Sequence, residues 1–432
     1  MRTISMSLLV VVTACTPPPG MNPPPGDGGA GGVAATGGGS GGGSAGGASA
    51  GGASAGGASA GGPADAGSWE WLPIDGSRCG SGARAGFALN AGATDELFIF
   101  VQGGGACWNR GTCVPSLLEY GPLCYYGQNV CLLNDQGGTQ PTAVFVTHPN
   151  PYPADGGGAL PNDLRTIGAV KALDRLAADN PFRRASFVYV PYCTGDLHSG
   201  RVQRQYTYKY GAFDAESTYT MNFWGAANMD VYLARLVTLY PNVRRIWLTG
   251  SSGGGYGASL NYDRVARAFP QAEVHLMADS SPLIDTYHFD DWRSTWAMEL
   301  PPGCTTCDGG FPAVMDHLAA AYPNRRMGLL SYDLDRIITW FFHAPAGAEH
   351  FVNPPFPAFT NSLNALEGRY DARTNTKYFV VPGESHVLWG DYGLRLADGG
   401  YTAPRRSRDG GTDLKAFVDA WVDGGAGWHS SR

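Results

Sequence analysis

The sequence predicts an α/β fold with a mostly parallel central sheet and helices on both of its faces. Two observations support this prediction. First, short apolar runs rich in β-branched and aromatic residues recur along the chain. Most of these runs are continuous, as expected for strands buried on both faces of a parallel sheet. Second, helical patterns lie between several of the runs, and such alternation is typical of α/β folds.

Seven strands are predicted, the first beginning at residue 96 and the last ending at residue 381. In chain order they are ELFIFV (96–101), AVFVT (143–147), SFVYV (186–190), RIWLT (245–249), EVHLMA (273–278), RMGLLS (326–331) and YFVV (378–381). Helices are expected at NMDVYLARLVTLY (228–240) and GYGASLNYDRVARAFP (255–270). One of these helices precedes the RIWLT strand in the chain and the other follows it.

The first 67 residues differ in composition from the rest of the chain. Residues 1–14 hold one Arg and a short apolar core, which indicates an export signal rather than a membrane-spanning helix. The stretch VTAC resembles the lipobox of bacterial lipoproteins, so Cys15 is expected to carry lipid and attach the protein to a membrane. A plain secretory signal is the alternative. Residues 15–67, rich in Pro, Gly, Ser and Ala, are expected to form a disordered tether. Residues 68–432 are expected to form one folded domain, stabilised by disulfides.

Charge and cysteine content limit the classes of partner. The chain is mildly acidic, with 30 Lys plus Arg against 37 Asp plus Glu, and no basic stripe indicates nucleic acid. Eight cysteines remain after Cys15, an even number that predicts four disulfides in an exported protein. Cys107 with Cys113 and Cys304 with Cys307 are expected local pairs, and the other partners stay open. One Cys-x-x-Cys pair is a weak zinc signal in an oxidising compartment, so no metal or cofactor is expected.

Ser252, in the stretch LTGSSGGGYG (248–257), is the candidate nucleophile. It is the centre of a Gly-x-Ser-x-Gly pattern, but the same pattern occurs five more times in the tether, so spacing alone decides nothing. Unlike those copies, Ser252 directly follows a predicted strand and precedes a predicted helix. A nucleophile elbow must lie at such a strand-to-helix turn, and the helix N-terminus favours developing negative charge. We therefore expect Ser252 to be the nucleophile of an α/β-hydrolase.

Chain order supplies the other candidates for a catalytic triad. In α/β-hydrolases the nucleophile is followed by an acid and then by a histidine, each after a strand. The RMGLLS strand is followed by Asp333 and Asp335, and the YFVV strand by His386. Asp335 is preferred as the acid because it precedes an apolar pair, with Asp333 as the alternate. Asp279, in ADSSP, is a minor alternative that is expected to be structural. His386 is the expected base.

Acyl transfer also needs hydrogen-bond donors for the oxyanion. The stretch QGGGACW (102–108) follows the first predicted strand, where lipases and esterases place their oxyanion loop. The expected donors are the backbone N–H groups of Gly104, Gly105 and Gly253. A plain glycine-rich turn is the alternative.

A second loop, YVPYCTGDLHSG (189–200), also follows a predicted strand and carries Asp196 and His198. These two residues either line the pocket or satisfy one another's hydrogen bonds. No second ligand lies at a suitable spacing from His198, so a metal role is not expected for it.

Several motifs resemble those of the pectin acetylesterase family, which includes the animal carboxylesterase Notum, in order and spacing. They are WEWLPIDGSRCGSGARAGFALN (69–90), FVQGGGACWNRGTC (100–113), YVPYCTGDLHSG, LTGSSGGGYG and ADSSP (278–282). The resemblance implies an α/β-hydrolase fold and metal-independent ester hydrolysis by Ser252, Asp335 or Asp333, and His386. It also supports Gly104, Gly105 and Gly253 as oxyanion donors. The chain departs from plant members near His386, which lacks their adjacent Cys, and YDLDRII is a loose match, so substrate and acid stay open.

The sequence as a whole predicts a membrane-tethered extracytoplasmic serine carboxylesterase. Its substrate is expected to be acetylated polysaccharide or another O-acyl ester, and its location the outer membrane, the periplasm or the cell surface. One alternative is an inactive hydrolase scaffold that serves as a surface binding module. The other is a hydrolase of other esters, such as lipids or polyesters.

Overall fold

The computed structural model describes residues 69–109, 113, 131–134, 141–144, 170–208, 216–343, 356–394, 396, 398–425 and 427–432. The expected signal peptide (1–14) and the expected tether with Cys15 (15–67) lie outside the described residues. Residues 145–147 of the predicted AVFVT strand also lie outside them.

Strands and helices alternate along most of the described chain. The strands are β1 (Glu70–Arg78), β2 (Arg84–Asn90), β3 (Glu96–Val101), β4 (Cys131–Asn134), β5 (Pro141–Val144), β6 (Ser186–Val190), β7 (Val202–Tyr208), β8 (Ser217–Phe223), β9 (Arg245–Ser251), β10 (Glu273–Asp279), β11 (Met327–Tyr332) and β12 (Thr376–Val381). The α-helices are α1 (Gly225–Leu239), α2 (Gly253–Leu260), α3 (Tyr262–Ala268), α4 (Phe289–Trp296), α5 (Phe311–Ala321), α6 (Arg336–His343), α7 (Phe356–Asp371) and α8 (Leu414–Asp423). No helix in these ranges is long and apolar enough to span a membrane.

Eight of the strands form one sheet, in the order β1-β2-β6-β3-β9-β10-β11-β12. The six strands from β6 to β12 in this order run parallel, whereas β1 pairs with β2, and β2 with β6, in antiparallel fashion. The carboxyl ends of the parallel strands therefore meet at one edge, where binding and catalytic residues of open α/β sheets collect. The predicted mostly parallel α/β sheet is confirmed.

Both faces of the sheet are covered by apolar side chains, as the continuous apolar runs predict. Along β3, Leu97, Ile99 and Val101 belong to one buried cluster, while Phe98 and Phe100 belong to another. Alternate residues of a strand point to opposite faces, so both faces of β3 are buried. Side chains of α1 join the first cluster and those of α8 join the second, which confirms the prediction of helices on both faces.

Six of the seven predicted strands are present in the central sheet. β3 and β6 have the predicted bounds, β11 is shifted by one residue, and β9, β10 and β12 are one or two residues longer than predicted. The AVFVT prediction is wrong in its placement: residues 141–144 pair antiparallel with β4 in a separate two-stranded sheet. A continuous apolar run predicts a strand but does not identify its pairing partner, which depends on tertiary packing. The antiparallel edge strands β1 and β2 were not predicted. Pro73 and an irregular register between residues 73 and 78 obscure β1, and edge strands tolerate both features.

The helix predicted over 255–270 is divided into two. α2 ends at Leu260 and α3 begins at Tyr262, with Asn261 between them. The side-chain amide of Asn261 donates to the backbone oxygens of Gly257 and His198, at 2.9 and 2.8 Å. The first bond satisfies a carbonyl of the last turn of α2, and the second fixes the break beside the loop that carries His198.

Three disulfides lie within the described residues. Cys107–Cys113 and Cys304–Cys307 confirm the two predicted local pairs, with Cα–Cα distances of 5.0 and 5.5 Å. The third joins Cys79, directly after β1, to Cys193, shortly after β6, across 114 residues of sequence. The expected fourth disulfide would involve Cys124, which lies outside the described residues.

Candidate active site

Ser252 occupies the single-residue turn between a strand and a helix. β9 ends at Ser251 and α2 begins at Gly253. The backbone of Ser252 has φ 56° and ψ −129°, a conformation that residues with a side chain rarely adopt. Hydrogen bonds hold it there: the Ser252 amide donates to the Asp279 carbonyl at 2.8 Å, and the Ser252 carbonyl accepts from the Gly255 amide at 2.9 Å. This strained strand-to-helix turn is the geometry of a nucleophile elbow.

The glycines around Ser252 are required by close backbone packing. A Cβ atom at Gly250 would lie 2.4 Å from the carbonyl oxygen of Gly254, and one at Gly254 would lie 2.0 Å from that of Val101. A Cβ atom at Gly103 would lie 2.2 Å from the carbonyl oxygen of Ser251. These distances leave no room for a side chain. The glycine-rich loop after β3 therefore packs directly against the Ser252 turn.

The predicted oxyanion donors lie in this contact region. Gly105 has φ 82°, in the left-handed region that favours glycine, and its carbonyl would lie 2.9 Å from a Cβ atom at Gly253. Among the described residues, the amides of Gly104 and Gly105 have no backbone acceptor, whereas the Cys107 amide donates to Gly195 at 2.8 Å. Gly253 is the first residue of α2, so its amide has no acceptor within the helix. Donors without partners beside the serine are what an oxyanion hole requires.

Asp335 and His386 contact each other across the ends of β11 and β12. The Nδ1 atom of His386 lies 2.8 Å from Oδ2 of Asp335. Asp335 has no exposed surface, and its other carboxylate oxygen accepts from the Ile338 amide at 3.0 Å. The Asp335 carboxylate can only accept a hydrogen bond, so Nδ1 of His386 must carry the proton that it donates. The Nε2 atom of His386 is buried and has no hydrogen-bond partner within the described part of the chain, so its lone pair is available to accept a proton.

The charge around His386 favours its protonated form. Burial lowers the pKa of His386, but the carboxylates of Asp335 and Asp279 outweigh burial and raise the pKa above its usual value of 6.5. A histidine whose protonated form is stabilised by an orienting carboxylate can take up and return a proton.

Asp333, the alternate acid, is directed elsewhere. Its Oδ1 atom accepts from the Gly383 amide at 2.9 Å, and its Oδ2 atom lies 3.1 Å from Nη1 of Arg408. The contact with Gly383 stabilises the loop that leads to His386. The structure thus brings Asp335, and not Asp333, to the imidazole.

Asp279, the minor alternative, is a fully buried residue between the Ser252 turn and the loop that follows His386. Its Oδ2 atom accepts from the Ser251 hydroxyl at 2.7 Å and from the Trp389 amide at 3.1 Å, and its Oδ1 atom accepts from the Leu388 amide at 2.7 Å. Burial raises the pKa of Asp279 to about 6. The bonds to Leu388 and Trp389 join residues more than 100 positions apart, and no local sequence pattern indicates them.

Asp196 and His198 hold the loop that follows β6 against neighbouring segments of the chain. The Asp196 carboxylate accepts from the Thr194 hydroxyl at 2.6 Å and, at the start of α1, from the Gly225 amide at 2.8 Å. Nε2 of His198 donates to the carbonyl oxygen of Gln102 at 2.8 Å. Burial lowers the pKa of His198 to about 4, so its ring is neutral at physiological pH. The two side chains therefore bond to other partners, and the interpretation that they bond to one another is wrong. Across the described ranges, no cluster of three or more His, Cys, Asp or Glu side chains is arranged to hold a metal ion.

Comparison with known proteins identifies related sequences. The family model described as pectinacetylesterase matches residues 165–299. The palmitoleoyl-protein carboxylesterase NOTUM of Schmidtea mediterranea is 25% identical over 236 residues, which cover 52% of this chain and 36% of that protein. The protein of the same name from Homo sapiens is 23% identical over 219 residues, 49% of this chain and 35% of that protein. The chain thus spans about a third of the length of the curated relatives it matches.

A solved structure has a similar fold. The Wnt deacylase Notum from Drosophila aligns over 84% of this chain and 95% of that chain, with a TM-score of 0.50 and 19% identity. At this identity the likeness concerns the fold alone. The parallel sheet and the Ser252 turn, together with this likeness, define the chain as an α/β-hydrolase-fold protein. The pectinacetylesterase family model and the NOTUM relatives each match part of this chain, in line with the resemblance that the sequence motifs carry.

Proposed function

We propose that this protein is an extracytoplasmic serine carboxylesterase that removes O-acyl groups through an acyl-enzyme. The observation that carries the proposal is the Asp335–His386 contact at the sheet edge where Ser252 occupies its strained turn. Nε2 of His386 has no hydrogen-bond partner among the described residues. An inactive binding scaffold would have no need to retain a buried carboxylate on this histidine together with a strained serine.

In the proposed reaction, Oγ of Ser252 attacks the ester carbonyl while Nε2 of His386 accepts the hydroxyl proton. The amides of Gly104, Gly105 and Gly253 donate to the negatively charged oxygen of the tetrahedral intermediate. His386 then returns its proton to the departing alcohol, which leaves an acyl group on Ser252. Water, deprotonated by His386, attacks this acyl group; the bond to Ser252 then breaks, His386 returns the proton to Oγ of Ser252, and the carboxylic acid leaves.

Asp335 has two roles in this scheme. Its Oδ2 atom fixes the imidazole in the tautomer that presents a lone pair on Nε2, and its negative charge stabilises the imidazolium that forms during each attack. Because Asp335 is fully buried and also bonded to the Ile338 amide, its orientation does not depend on solvent.

The proposed substrate is an O-acyl ester, carried by an acetylated polysaccharide or by another alcohol. Trp108 directly follows the oxyanion loop and is partly exposed. Its ring lies 5.1 Å from that of His288, 5.4 Å from that of Trp292 and 6.3 Å from that of Phe341, measured between centroids. The three neighbouring rings are buried and support Trp108, whose partly exposed ring can pack against an acyl chain or the face of a sugar. The matching family model is described as pectinacetylesterase and the relatives are named palmitoleoyl-protein carboxylesterase. Both descriptions favour an ester over an amide as the substrate.

The proposed location is outside the cytoplasm, on a membrane, through lipid on Cys15. The three disulfides of the described residues support export, because disulfides persist in oxidising compartments. Lipid attachment is tested by mass spectrometry of the mature N-terminal peptide from membranes of the expressing cells. A lipid-modified Cys15 supports the proposal, and an unmodified N-terminus in the soluble fraction contradicts it.

The activity is tested with a fluorophosphonate probe, which reacts with activated serines, followed by mass mapping of the full chain. A single adduct on Ser252, absent from heat-unfolded protein and from the His386→Ala variant, is the expected result. No adduct on folded, disulfide-intact protein would contradict the esterase and favour the binding module. Rates on acetyl, long-acyl and amide substrates would then define the acyl group.

A further inference from the structure

One buried carboxylate is not used by the proposed triad. Asp279 ends β10, the strand between β9, which leads to Ser252, and β11. In register, Asp279 lies opposite Ser251 on β9 and Leu330 on β11. Its carboxylate faces the loop that follows His386. Asp279 thus lies between the two segments that carry the reacting side chains.

The hydrogen bonds of Asp279 connect these two segments. On the nucleophile side, its carbonyl accepts from the Ser252 amide at 2.8 Å and its Oδ2 atom accepts from the Ser251 hydroxyl at 2.7 Å. On the histidine side, its carboxylate accepts from the amides of Leu388 and Trp389, at 2.7 and 3.1 Å. A single residue therefore sets the distance between the two segments.

Ser280, the next residue, accepts a hydrogen bond from one further amide of the loop after His386. Its hydroxyl oxygen accepts from the Val387 amide at 2.8 Å, and its own amide donates to the Leu330 carbonyl at 2.8 Å. The three consecutive amides after His386 are thus all bonded to Asp279 or Ser280. Val387 has φ 64° and Ser280 has φ 48°, so both backbones are strained and depend on these bonds.

We propose, on the basis of the proposed esterase function, that Asp279 is a positioning residue that holds the Ser252 turn and the His386 loop in reactive register without contacting the reacting atoms. A carboxylate suits this role because its two oxygens accept from three donors. An asparagine would offer only one oxygen, and its NH₂ group would face a backbone amide that cannot accept.

The charge of Asp279 affects the pKa of His386, an effect that packing alone would not produce. The charged groups that act on the imidazole of His386 are the carboxylates of Asp335 and Asp279, and both raise its pKa. Removal of the Asp279 charge therefore lowers the pKa of His386, whereas removal of a distant buried carboxylate does not.

The test compares Asp279→Asn with Asp263→Asn in the full chain, after circular dichroism confirms that both are folded. Asp263, on α3, is a matched control, since it is also buried, accepts from the Tyr322 hydroxyl at 2.5 Å and pairs with Arg267 at 2.8 Å. We expect Asp279→Asn to slow fluorophosphonate labelling of Ser252 by about 10- to 100-fold, the scale of small misplacements in active sites. The pH midpoint of labelling should also fall. Asp263→Asn should change neither quantity.

Ser280→Ala provides a second variant in case Asp279→Asn does not fold. It removes the acceptor of the Val387 amide but no charge. Slower labelling with an unchanged pH midpoint is expected. The positioning role would be overturned if Ser280→Ala were labelled at the wild-type rate. It would also be overturned if folded Asp279→Asn kept both the wild-type labelling rate and the wild-type pH midpoint. If wild-type protein itself is not labelled, it is the proposed function that fails, so the two failures are distinguishable.

Discussion

Oδ2 of Asp335 and Nδ1 of His386 lie 2.8 Å apart although 51 positions separate the residues in the chain. They meet because β11 and β12 are parallel neighbours, with Tyr332 opposite Val381 at their carboxyl ends. The loops that follow both strands therefore begin side by side. Asp333 begins in the same place, but its carboxylate is bonded to Gly383 and Arg408.

This difference between two nearby carboxylates predicts opposite effects of the same substitution. Asp335→Asn should lower kcat on an acetyl ester on the order of 10³- to 10⁴-fold, because the amide no longer fixes the tautomer of His386. Asp333→Asn should change kcat little and lower the free energy of unfolding by about 1 to 3 kcal/mol, since it weakens the bonds to Gly383 and Arg408. Steady-state kinetics and urea unfolding of both variants check this prediction. The reverse pattern would identify Asp333 as the acid.

The pKa of His386 predicts how activity depends on pH. Only neutral imidazole can accept the Ser252 proton, so kcat/KM should rise with pH, and the midpoint should lie above 6.5 because carboxylates raise this pKa. The contribution of the same group to stability has the opposite sign. Because the pKa of His386 is higher in the folded than in the unfolded state, protonation of His386 stabilises the fold. This stabilisation is complete at a pH below the unfolded-state pKa and is lost as the pH rises through the folded-state pKa. A pH profile with a midpoint below 6.5 would contradict the charge arrangement around His386.

The packing of the Ser252 turn predicts that its glycines cannot be replaced. Gly254→Ala would place a methyl group 2.0 Å from the Val101 carbonyl oxygen and should destabilise the fold by about 1 to 3 kcal/mol or more. Gly368, within α7, is exposed, and a Cβ atom there would have no neighbour within 4 Å. Gly368→Ala should therefore raise the free energy of unfolding by about 0.5 to 1 kcal/mol. Thermal unfolding of both variants measures the contrast, and equal effects would refute it.

The long-range disulfide predicts a larger stabilisation than a local one. Replacing both Cys79 and Cys193 with Ala should lower the free energy of unfolding by about 2 to 5 kcal/mol, because the bond closes a loop across 114 positions. Replacing Cys304 and Cys307 is the control, since that bond joins residues only three positions apart. Denaturant unfolding under oxidising conditions should show the smaller loss for the control pair. Similar losses would indicate that loop closure is not the main contribution.

The parallel strands were predictable from sequence because each is buried on both faces. A run such as SFVYV is almost wholly apolar, so its boundaries in the sequence match those of β6. The edge strands were not predictable in the same way, since β1 is half exposed and interrupted by Pro73 and Gly76. Burial on both faces makes a strand almost wholly apolar in composition, whereas pairing at a sheet edge changes the composition little.

The candidate site shows the same division. The strand-to-helix position of Ser252 and the order of the strands before Asp335 and His386 are local features, and they were visible in the sequence. The contacts of Asp279 with Leu388 and Trp389 cross more than 100 positions, and no local pattern encodes them. Disulfide pairing of Cys79 with Cys193 was hidden for the same reason.

The position of Cys79 also has a mechanical consequence. β1 is the outermost strand of the sheet and the first described element, so a pull from the N-terminal side reaches β1 before any other described strand. Cys79 directly follows β1 and is covalently joined to Cys193. Under tension, β1 would peel from β2, and the disulfide would then pass the load from Cys79 directly to Cys193. The strands β2, β3 and β6, which lie between these cysteines in the chain, would thus stay outside the covalent path of the load.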